Sequence, residues 1–418
     1  MRALTAEENA APAESALARR LGNYELRAKI ADGGMAEVHV ARRVGGPGAG
    51  EVVAIKTIRD QFARNREFVT MFMDEAKIVS RLRHPNVIRY HELGSEDEQL
   101  FLAMELLFGQ SLWSLWDACR TRNVRLRYDM IAWIGARVAD GLHYAHELVD
   151  EAGAPLDIVH RDVNATNIFV TYDGEIKVID FGLAKAANRA SKTAAGVIKG
   201  KVAYMSPEQA VGAPVDRRTD VFALGTTVWE LSCDRRLFKR PDDVETLRRV
   251  HAAEVPDPTR LVEGFPPELW RILQGALARH QDRRYRTAAD LARDLDAFAA
   301  RESKGKCGPR SVAKVMRELF ADDRSRQIAW VTEVSGPASS AASGRPLKAR
   351  STFWTGDEAP VAPPVRMPLS TPPAAFHPSR PAPGSLAHEA SRRRGRMFAV
   401  ATAVAIAVVS VVVALAYR

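Results

Sequence analysis

The stretch IVHRDVNATNIFV, residues 158–170, sets two polar side chains, Asp162 and Asn167, between apolar runs that are typical of buried strands. A second apolar run, EIKVI, ends at Asp180, and the Gly-containing turn between the two runs predicts a β-hairpin. The hairpin would bring Asn167 and Asp180 together at one end. Polar groups buried there without partners would cost free energy, so we expect these side chains to have a chemical role.

That role is best explained by metal chemistry. A carboxylate and an amide oxygen are ligands that Mg²⁺ takes in proteins, together with waters and substrate phosphates. Asp162 stands one loop away from the pair, where it can orient a hydroxyl group and accept its proton. The three residues therefore predict a phosphoryl-transfer site, with Asn167 and Asp180 on the metal and Asp162 as the base.

Two features nearer the N-terminus fit the same site. Residues 31–38, ADGGMAEV, form a Gly turn between strands, where backbone N–H groups can close over phosphates. Lys56 ends the apolar run VAIK, and strand alternation points it to the same side as Ala54. A buried lysine needs an anionic partner, and Glu75, on the apolar face of a helix predicted over residues 64–83, is the candidate.

The order of the predicted elements divides the chain into two lobes. Residues 1–22 form a flexible leader, and β-like patterns are frequent from Tyr24 to Gly109. Long helical segments then dominate to about residue 300. A small β-rich lobe before a larger α-rich lobe predicts an α+β fold with a cleft between them.

The C-terminal part differs in composition. Residues 301–334 are a predicted helical extension, with an amphipathic helix over 311–334. Residues 335–396 are rich in Pro, Ala and Ser, and we expect a disordered basic linker because they cannot bury enough apolar surface. Residues 397–416 are 20 residues without a charge, which predicts a single transmembrane helix. The cluster RRRGR, residues 392–396, would keep the rest of the chain on the cytoplasmic side of the cell membrane.

The excess of positive charge lies in this tail. The chain has a net charge of +9, but residues 301–418 carry +10 and residues 1–300 carry −1. A nearly neutral body weakens any interpretation as a nucleic-acid-binding domain. The three cysteines are far apart and form no pattern of zinc ligands.

Nine sequence features follow one another between residues 24 and 300: DGGMAEV, VAIK, Glu75, HPNVIR, MELLFGQSL, HRDVNATN, DFG, YMSPEQ and DVFALG. With them the chain resembles the protein kinase superfamily, and specifically the bacterial eukaryotic-like (Hanks-type) serine/threonine kinases. The resemblance implies a bilobal kinase domain over residues 23–300, with ATP and Mg²⁺ as cofactors and proteins as substrates.

The resemblance also implies roles for single residues. Asp162 would be the catalytic base, and Asn167 and Asp180 would bind Mg²⁺. Lys56 would hold the α- and β-phosphates of ATP and pair with Glu75. The nucleotide would be enclosed by Ile30, Gly33, Gly34, Val38, Ala54, Met104, Glu105, Leu107 and Phe169.

Supporting features are implied outside the cleft. Glu208 and Arg284 would form a buried ion pair, and Asp220 would brace the catalytic loop. Ser191 and Thr193 lie in the activation segment, where they are either phosphorylation sites or plain loop hydroxyls.

The chain departs from the family pattern at several positions. Ala31 and Ala36 stand where two phosphate-loop glycines are usual, which should stiffen the loop. Asn164 replaces the lysine that steadies the γ-phosphate, and Lys201 replaces a threonine. An amide can still hydrogen-bond a phosphate oxygen, so Asn164 is predicted to be catalytic, although losing one preorganised donor can cost about 3 kcal/mol of transition-state stabilisation.

Several functions stay open at this stage. A membrane-tethered serine/threonine kinase in cytoplasmic signalling is favoured by the retained base and metal ligands. A pseudokinase acting as a nucleotide-binding scaffold is favoured by Asn164 and the altered loop. Residues 311–334 could instead dock a partner, and the transmembrane helix could pair two chains as a homodimer. Tyrosine specificity is less favoured, because the catalytic loop lacks the Ala-Ala-Arg of tyrosine kinases.

Overall fold

The computed structural model describes residues 19–32, 36–63, 65–96, 99–181 and 201–335. The predicted leader (apart from its last four residues), the tip of the Gly turn, most of the activation segment, and the predicted linker and transmembrane helix lie outside these residues. Among the helices that are described, none has both the length and the apolar character needed to cross a membrane.

The small lobe is an antiparallel six-stranded sheet in the order β1–β2–β3–β4–β6–β5, with two helices. Its elements are β1 (Arg20–Leu21), β2 (Tyr24–Asp32), β3 (Ala36–Arg43), β4 (Val52–Ile58), α1 (Asp60–Ala63), α2 (Arg66–Val79), β5 (Tyr90–Glu96) and β6 (Gln99–Glu105). Alternation separates the two faces of the sheet, because Val53 and Ile55 join one buried cluster and Ala54 joins the main core. In α2, Phe72 and Ala76 lie four residues apart and are buried in that core.

The large lobe is mainly helical. Its elements are β7 (Gly109–Ser111), α3 (Leu112–Thr121), α4 (Tyr128–His146), β8 (Ile168–Thr171), β9 (Ile176–Val178), α5 (Pro207–Ala210), α6 (Arg218–Cys233), α7 (Asp243–Ala252), α8 (Pro267–Ala276) and α9 (Ala288–Ser303). Every residue of α6 from Thr219 to Cys233 is buried, so this helix is enclosed on all sides within the lobe. The predicted α+β fold with two lobes is confirmed.

The segment from the end of β6 to the first residue of β7, residues 106–109, joins the lobes and is called the hinge below. It ends at Gly109, which pairs with Thr171 of β8. A Cβ atom on Gly109 would lie 2.1 Å from the carbonyl oxygen of Val170, so only glycine fits there. The C-terminal end of the hinge is thereby fixed to the large lobe.

Two helices follow α9 where one was predicted. They are α10 (Pro309–Leu319) and α11 (Ala321–Ser335), and the break lies at Phe320, whose φ of −131° and ψ of 32° are not helical. Val312 and Met316 of α10 are fully buried in the main core. The apolar face of α10 is therefore covered by the body of the same chain, whereas Ile328 of α11 stays 43% exposed.

Candidate active site

Two amide groups hold the Asp162 carboxylate. Nδ2 of Asn164 donates to Oδ1 at 3.0 Å, and Nδ2 of Asn167 donates to Oδ2 at 3.0 Å. Both amides also donate to the main-chain carbonyl of Asp162, at 3.0 and 2.8 Å. These bonds fix the orientation of the side chain, while carboxylate oxygens have lone pairs enough to accept from a further donor such as a hydroxyl group.

The backbone of the loop that carries Asp162 is held by hydrogen bonds to the Asp220 carboxylate. Oδ2 of Asp220 accepts from the backbone N–H of His160 and Oδ1 accepts from that of Arg161, both at 2.8 Å. Arg161 has a φ of +67°, which is uncommon for a residue other than glycine. Burial alone would raise the pKa of Asp220, but the hydrogen bond and charge of His146, followed by the charge of His160 and the backbone N–H of Arg161, lower it overall. The prediction that Asp220 braces the catalytic loop is confirmed, and this carboxylate is a charged group in the protein interior.

Asn167 and Asp180 lie at the same end of the β8–β9 hairpin, as the sequence predicts. Ile168 pairs with Val178, and the backbone N–H of Ile179 donates to the carbonyl of Asn167 at 3.0 Å. Asp180 follows with a φ of +61°, in the left-handed region. Strained backbone of this kind is frequent at functional sites, where the surrounding structure holds it in place.

Both residues can offer oxygen atoms to a cation. Since Nδ2 of Asn167 donates to Asp162, the amide oxygen of Asn167 is the atom that can act as a ligand. In the part of the chain that the structure describes, no three His, Cys, Asp or Glu side chains cluster as a metal site. An amide oxygen and a carboxylate suit Mg²⁺, which completes its shell with waters and substrate phosphates.

Lys56 lies at this site as well. Its Nζ donates to Oδ1 of Asp180 at 2.7 Å. The ion pair joins β4 of the small lobe to the segment after β9 of the large lobe. Glu75, the predicted partner of Lys56, lies within α2, but its side chain is outside the described part of the structure.

The residues predicted to surround adenine share one buried cluster: Val38, Ala54, Met104 and Phe169. Ala54 and Met104 are direct neighbours across β4 and β6. Ile30 and Leu107 are half-buried against the same cluster, and Glu105 ends β6 beside the hinge. The predicted phosphate contacts Gly33 and Gly34 lie outside the described residues.

Comparison with known proteins decides the family. A family model of the protein kinase domain matches residues 24–294. The chain belongs to the protein kinase family. The resemblance noted in the sequence is thereby confirmed, and the matched segment ends within α9, before α10 and α11.

Several relatives of this chain are known. The tyrosine-protein kinase MasK of Myxococcus xanthus is 36% identical over 330 residues, which are 78% of this chain and 51% of MasK. The serine/threonine-protein kinases PrkC of Bacillus subtilis and PknL of Mycobacterium tuberculosis are 32% and 34% identical, over 66% and 69% of this chain. The chain spans 40% of PrkC and 68% of PknL. A crystal structure of the M. tuberculosis PknI kinase domain matches with a TM-score of 0.52 at 25% identity, covering 68% of this chain and 98% of that one.

The contacts of Asn164 differ from those that the sequence predicted. Besides donating to Asp162, the side chain accepts at Oδ1 from the backbone N–H of Thr166 at 2.8 Å and from its hydroxyl group. Asn164 is buried, with 6% of its surface exposed. Its amide therefore orders this loop and the Asp162 carboxylate, whereas the sequence suggested a contact with phosphate. Lys201 begins a 3₁₀ turn, Lys201–Tyr204, but its side chain is outside the described part.

The predicted ion pair of the large lobe is confirmed. Two nitrogens of the Arg284 guanidinium group donate to the two oxygens of Glu208, each at 2.8 Å. Burial raises the pKa of Glu208, but the hydrogen bonds and charge of Arg284 outweigh it and lower the pKa to about 2. The ion pair connects Glu208, which follows the activation segment, to Arg284, which lies just before α9.

Sequence reasoning missed the part played by two histidines. His160 lies against Phe181, with ring centroids 4.6 Å apart, and its Nε2 bonds the carbonyl of Ile179 at 2.9 Å. It thereby joins the catalytic loop to the segment that carries Asp180. His146 contacts Asp220 from α4, and the only signal for it was a histidine in the last turn of a long apolar helix.

Proposed function

We propose that this kinase uses ATP and Mg²⁺ to phosphorylate serine or threonine residues of proteins. The observation that carries the proposal is the Asp162 carboxylate, which Asn164 and Asn167 hold in place. The Lys56–Asp180 ion pair, which places a cation beside a proposed metal ligand, also supports the proposal. A protein that only bound nucleotide would have no chemical need for a fixed base.

In the proposed reaction the substrate hydroxyl donates a hydrogen bond to Asp162, which orients it and takes its proton. Lys56 supplies a positive charge in the cleft, and Asn167 and Asp180 supply oxygen ligands. ATP provides the phosphoryl group, and bound Mg²⁺ neutralises charge on its phosphates. The protein contributes positioning and electrostatic stabilisation, which are the main protein contributions in phosphoryl transfer.

Serine and threonine are favoured over tyrosine as targets. The catalytic loop reads NAT at residues 164–166, where tyrosine kinases have Ala-Ala-Arg, and PrkC and PknL are named serine/threonine kinases. MasK, which is named a tyrosine kinase, makes tyrosine the alternative to test.

A pseudokinase scaffold is the second candidate. Asn164 brings no charge to the cleft, and its amide is bonded within the catalytic loop. The site therefore has one cation fewer for the γ-phosphate than the family pattern provides, which lowers the electrostatic stabilisation available for transfer.

The proposal includes a membrane anchor at residues 397–416, which would hold the kinase domain at the cytoplasmic face of the cell membrane. It is supported by 20 residues without a charge, preceded by the cluster RRRGR. Interaction with anionic lipid headgroups would strengthen the attachment.

The proposed activity is tested by incubating the full-length protein and a generic basic protein with γ-labelled ATP and Mg²⁺. After acid hydrolysis, the labelled phosphoamino acids are separated. We expect label in phosphoserine or phosphothreonine that disappears when EDTA removes Mg²⁺. Label in phosphotyrosine alone would overturn the specificity, and nucleotide binding without transfer would favour the scaffold.

A further inference from the structure

Residues 304–335, called the strap below, lie beyond the segment that the kinase family model matches. They include α10 and α11. The strap is built into the large lobe at its first helix, because Val312 and Met316 are fully buried and α10 packs against α3. A Cβ atom on Gly174, in the β8–β9 turn, would lie 2.0 Å from the carbonyl oxygen of Pro309. Backbone contact this close makes the strap part of the kinase body.

The second helix of the strap reaches the hinge. Nε2 of Gln327 in α11 donates to the carbonyl oxygen of Gly109 at 3.2 Å, and only 5% of the Gln327 surface is exposed. Gly109 follows Leu107, a predicted adenine contact, by two residues. The neighbouring Gln110 is also buried and donates to the hydroxyl group of Tyr172 at 3.0 Å. The Nε2 atoms of Gln327 and Gln110 are thus paired at the end of the hinge, whereas the side-chain oxygens of both residues are buried without a hydrogen-bond partner in the described part of the chain.

The same helix also approaches the small lobe. α11 contacts β2 and β3, the two strands that flank the Gly turn. Helix α11 therefore contacts both the hinge and the sheet of the small lobe, while α10 is packed into the large lobe. If α11 moved, Gln327 would no longer bond the Gly109 carbonyl, which would then be buried and unpaired. A shift of this helix would therefore also affect the hinge backbone.

We infer that Gln327 is a positioning residue for the nucleotide, and that the strap is a structural part of the ATP site. By pairing the Gly109 carbonyl, Gln327 fixes the hinge backbone whose polar groups face adenine in the proposed function, on which this inference rests. The nucleotide-binding unit of this chain accordingly extends to residue 335, beyond the domain boundary near residue 300 that the sequence predicted.

The test compares two variants of the full-length protein. Gln327→Met keeps the size of the side chain and removes the donor, and Gln274→Met makes the same change at an exposed position of α8. Binding of ADP with Mg²⁺ is measured by calorimetry, and the KM for ATP and kcat are measured where transfer occurs. We expect Gln327→Met to raise the Kd and KM about three- to tenfold, the size of one lost hydrogen bond, with kcat within about twofold. The Gln274→Met variant should match the wild type.

The outcomes separate this inference from the proposed function. If Gln327→Met binds ADP more weakly and the wild type transfers no phosphate, the role of the strap in nucleotide binding would be supported and the proposed kinase activity would be rejected. An unchanged Kd would overturn the inference, whether or not the variant melts at a lower temperature. If Gln327→Met does not fold, amide hydrogen exchange of the wild type decides: ADP with Mg²⁺ should slow exchange in α11, and exchange that is insensitive to nucleotide would reject the coupling.

Discussion

Nζ of Lys56 and Oδ1 of Asp180 form an ion pair 2.7 Å long that joins the two lobes. Lys56 belongs to β4 of the small lobe, and Asp180 follows β9 of the large lobe. The pair therefore depends on how closely the lobes approach each other. It also places Lys56 beside one of the two proposed metal ligands, where the phosphates of ATP would bind.

Replacing Lys56 tests its place in the reaction. Lys56→Met should lower the rate of phosphoryl transfer at least about a hundredfold, because a preorganised charge is lost from the phosphate site. The matched control is Lys77→Met, since Lys77 is exposed on α2 and its side chain is 66% accessible. Transfer rates and thermal unfolding are measured for both. Equal transfer rates for the two variants would show that Lys56 has no role in phosphoryl transfer.

Replacing Asn164 separates two explanations of this residue. If its amide acts on the Asp162 carboxylate, Asn164→Ala should lower kcat roughly 10- to 100-fold and leave the KM for ATP within about twofold. If the amide instead bound the γ-phosphate in the ground state, the KM would rise with kcat little changed. Steady-state kinetics at varied ATP concentration distinguish the two. A rise confined to the KM would contradict the role assigned from the structure.

The Glu208–Arg284 pair predicts a pH dependence of stability. The pKa of Glu208 falls from its usual value of 4.5 to about 2 in the folded protein. A carboxyl group with a lowered pKa stabilises the fold above its unfolded pKa, so this contribution is lost as the pH falls from about 4.5 to about 2. The shift corresponds to about 3 kcal/mol of unfolding free energy.

The measurement is denaturant unfolding between pH 7 and pH 3. Glu208→Gln should be less stable than the wild type by about 3 kcal/mol at pH 7, with a difference that shrinks toward pH 3. Glu263→Gln, at an exposed position, serves as the control. A difference that stayed constant across this pH range would show that the ion pair is not its source.

The proposed anchor predicts where the chain is found in the cell. The full-length protein should remain with the membrane fraction after alkaline carbonate washing, because a run of 20 uncharged residues is long enough to span the hydrocarbon core. A version that ends at residue 396 should be released into the soluble fraction. Recovery of the full-length chain in the soluble fraction would refute the transmembrane helix.

Much of the fold could be predicted because its signals are local. Asn167 and Asp180 were placed together from two short apolar runs and a Gly-containing turn, and the hairpin has that form. The strand pattern around Ala54 likewise predicted which side of β4 faces the cleft. Period-two alternation and turn residues determine such neighbours without knowledge of the rest of the chain.

The contacts that sequence reasoning missed depend on distant parts of the chain. Gln327 and Gly109 are 218 positions apart, and nothing near either residue indicates that they meet. The break at Phe320 was missed because residues 311–335 contain no glycine or proline that would mark the end of a helix. The family's lysine at this position suggests a phosphate contact for Asn164, whereas its short amide bonds Asp162 and Thr166 in the structure.

The most direct test of the account is the rate of phosphoryl transfer by Asp162→Asn beside Asp173→Asn, both in the full-length protein. Asp173 is exposed in the β8–β9 turn and provides the same chemical change outside the cleft. Nucleotide binding is measured in parallel by calorimetry. We predict that Asp162→Asn lowers transfer about 10²- to 10⁴-fold with nucleotide binding intact, while Asp173→Asn behaves as the wild type. Equal transfer by the two variants, or no transfer by the wild type, would contradict the assignment of Asp162 as the catalytic base.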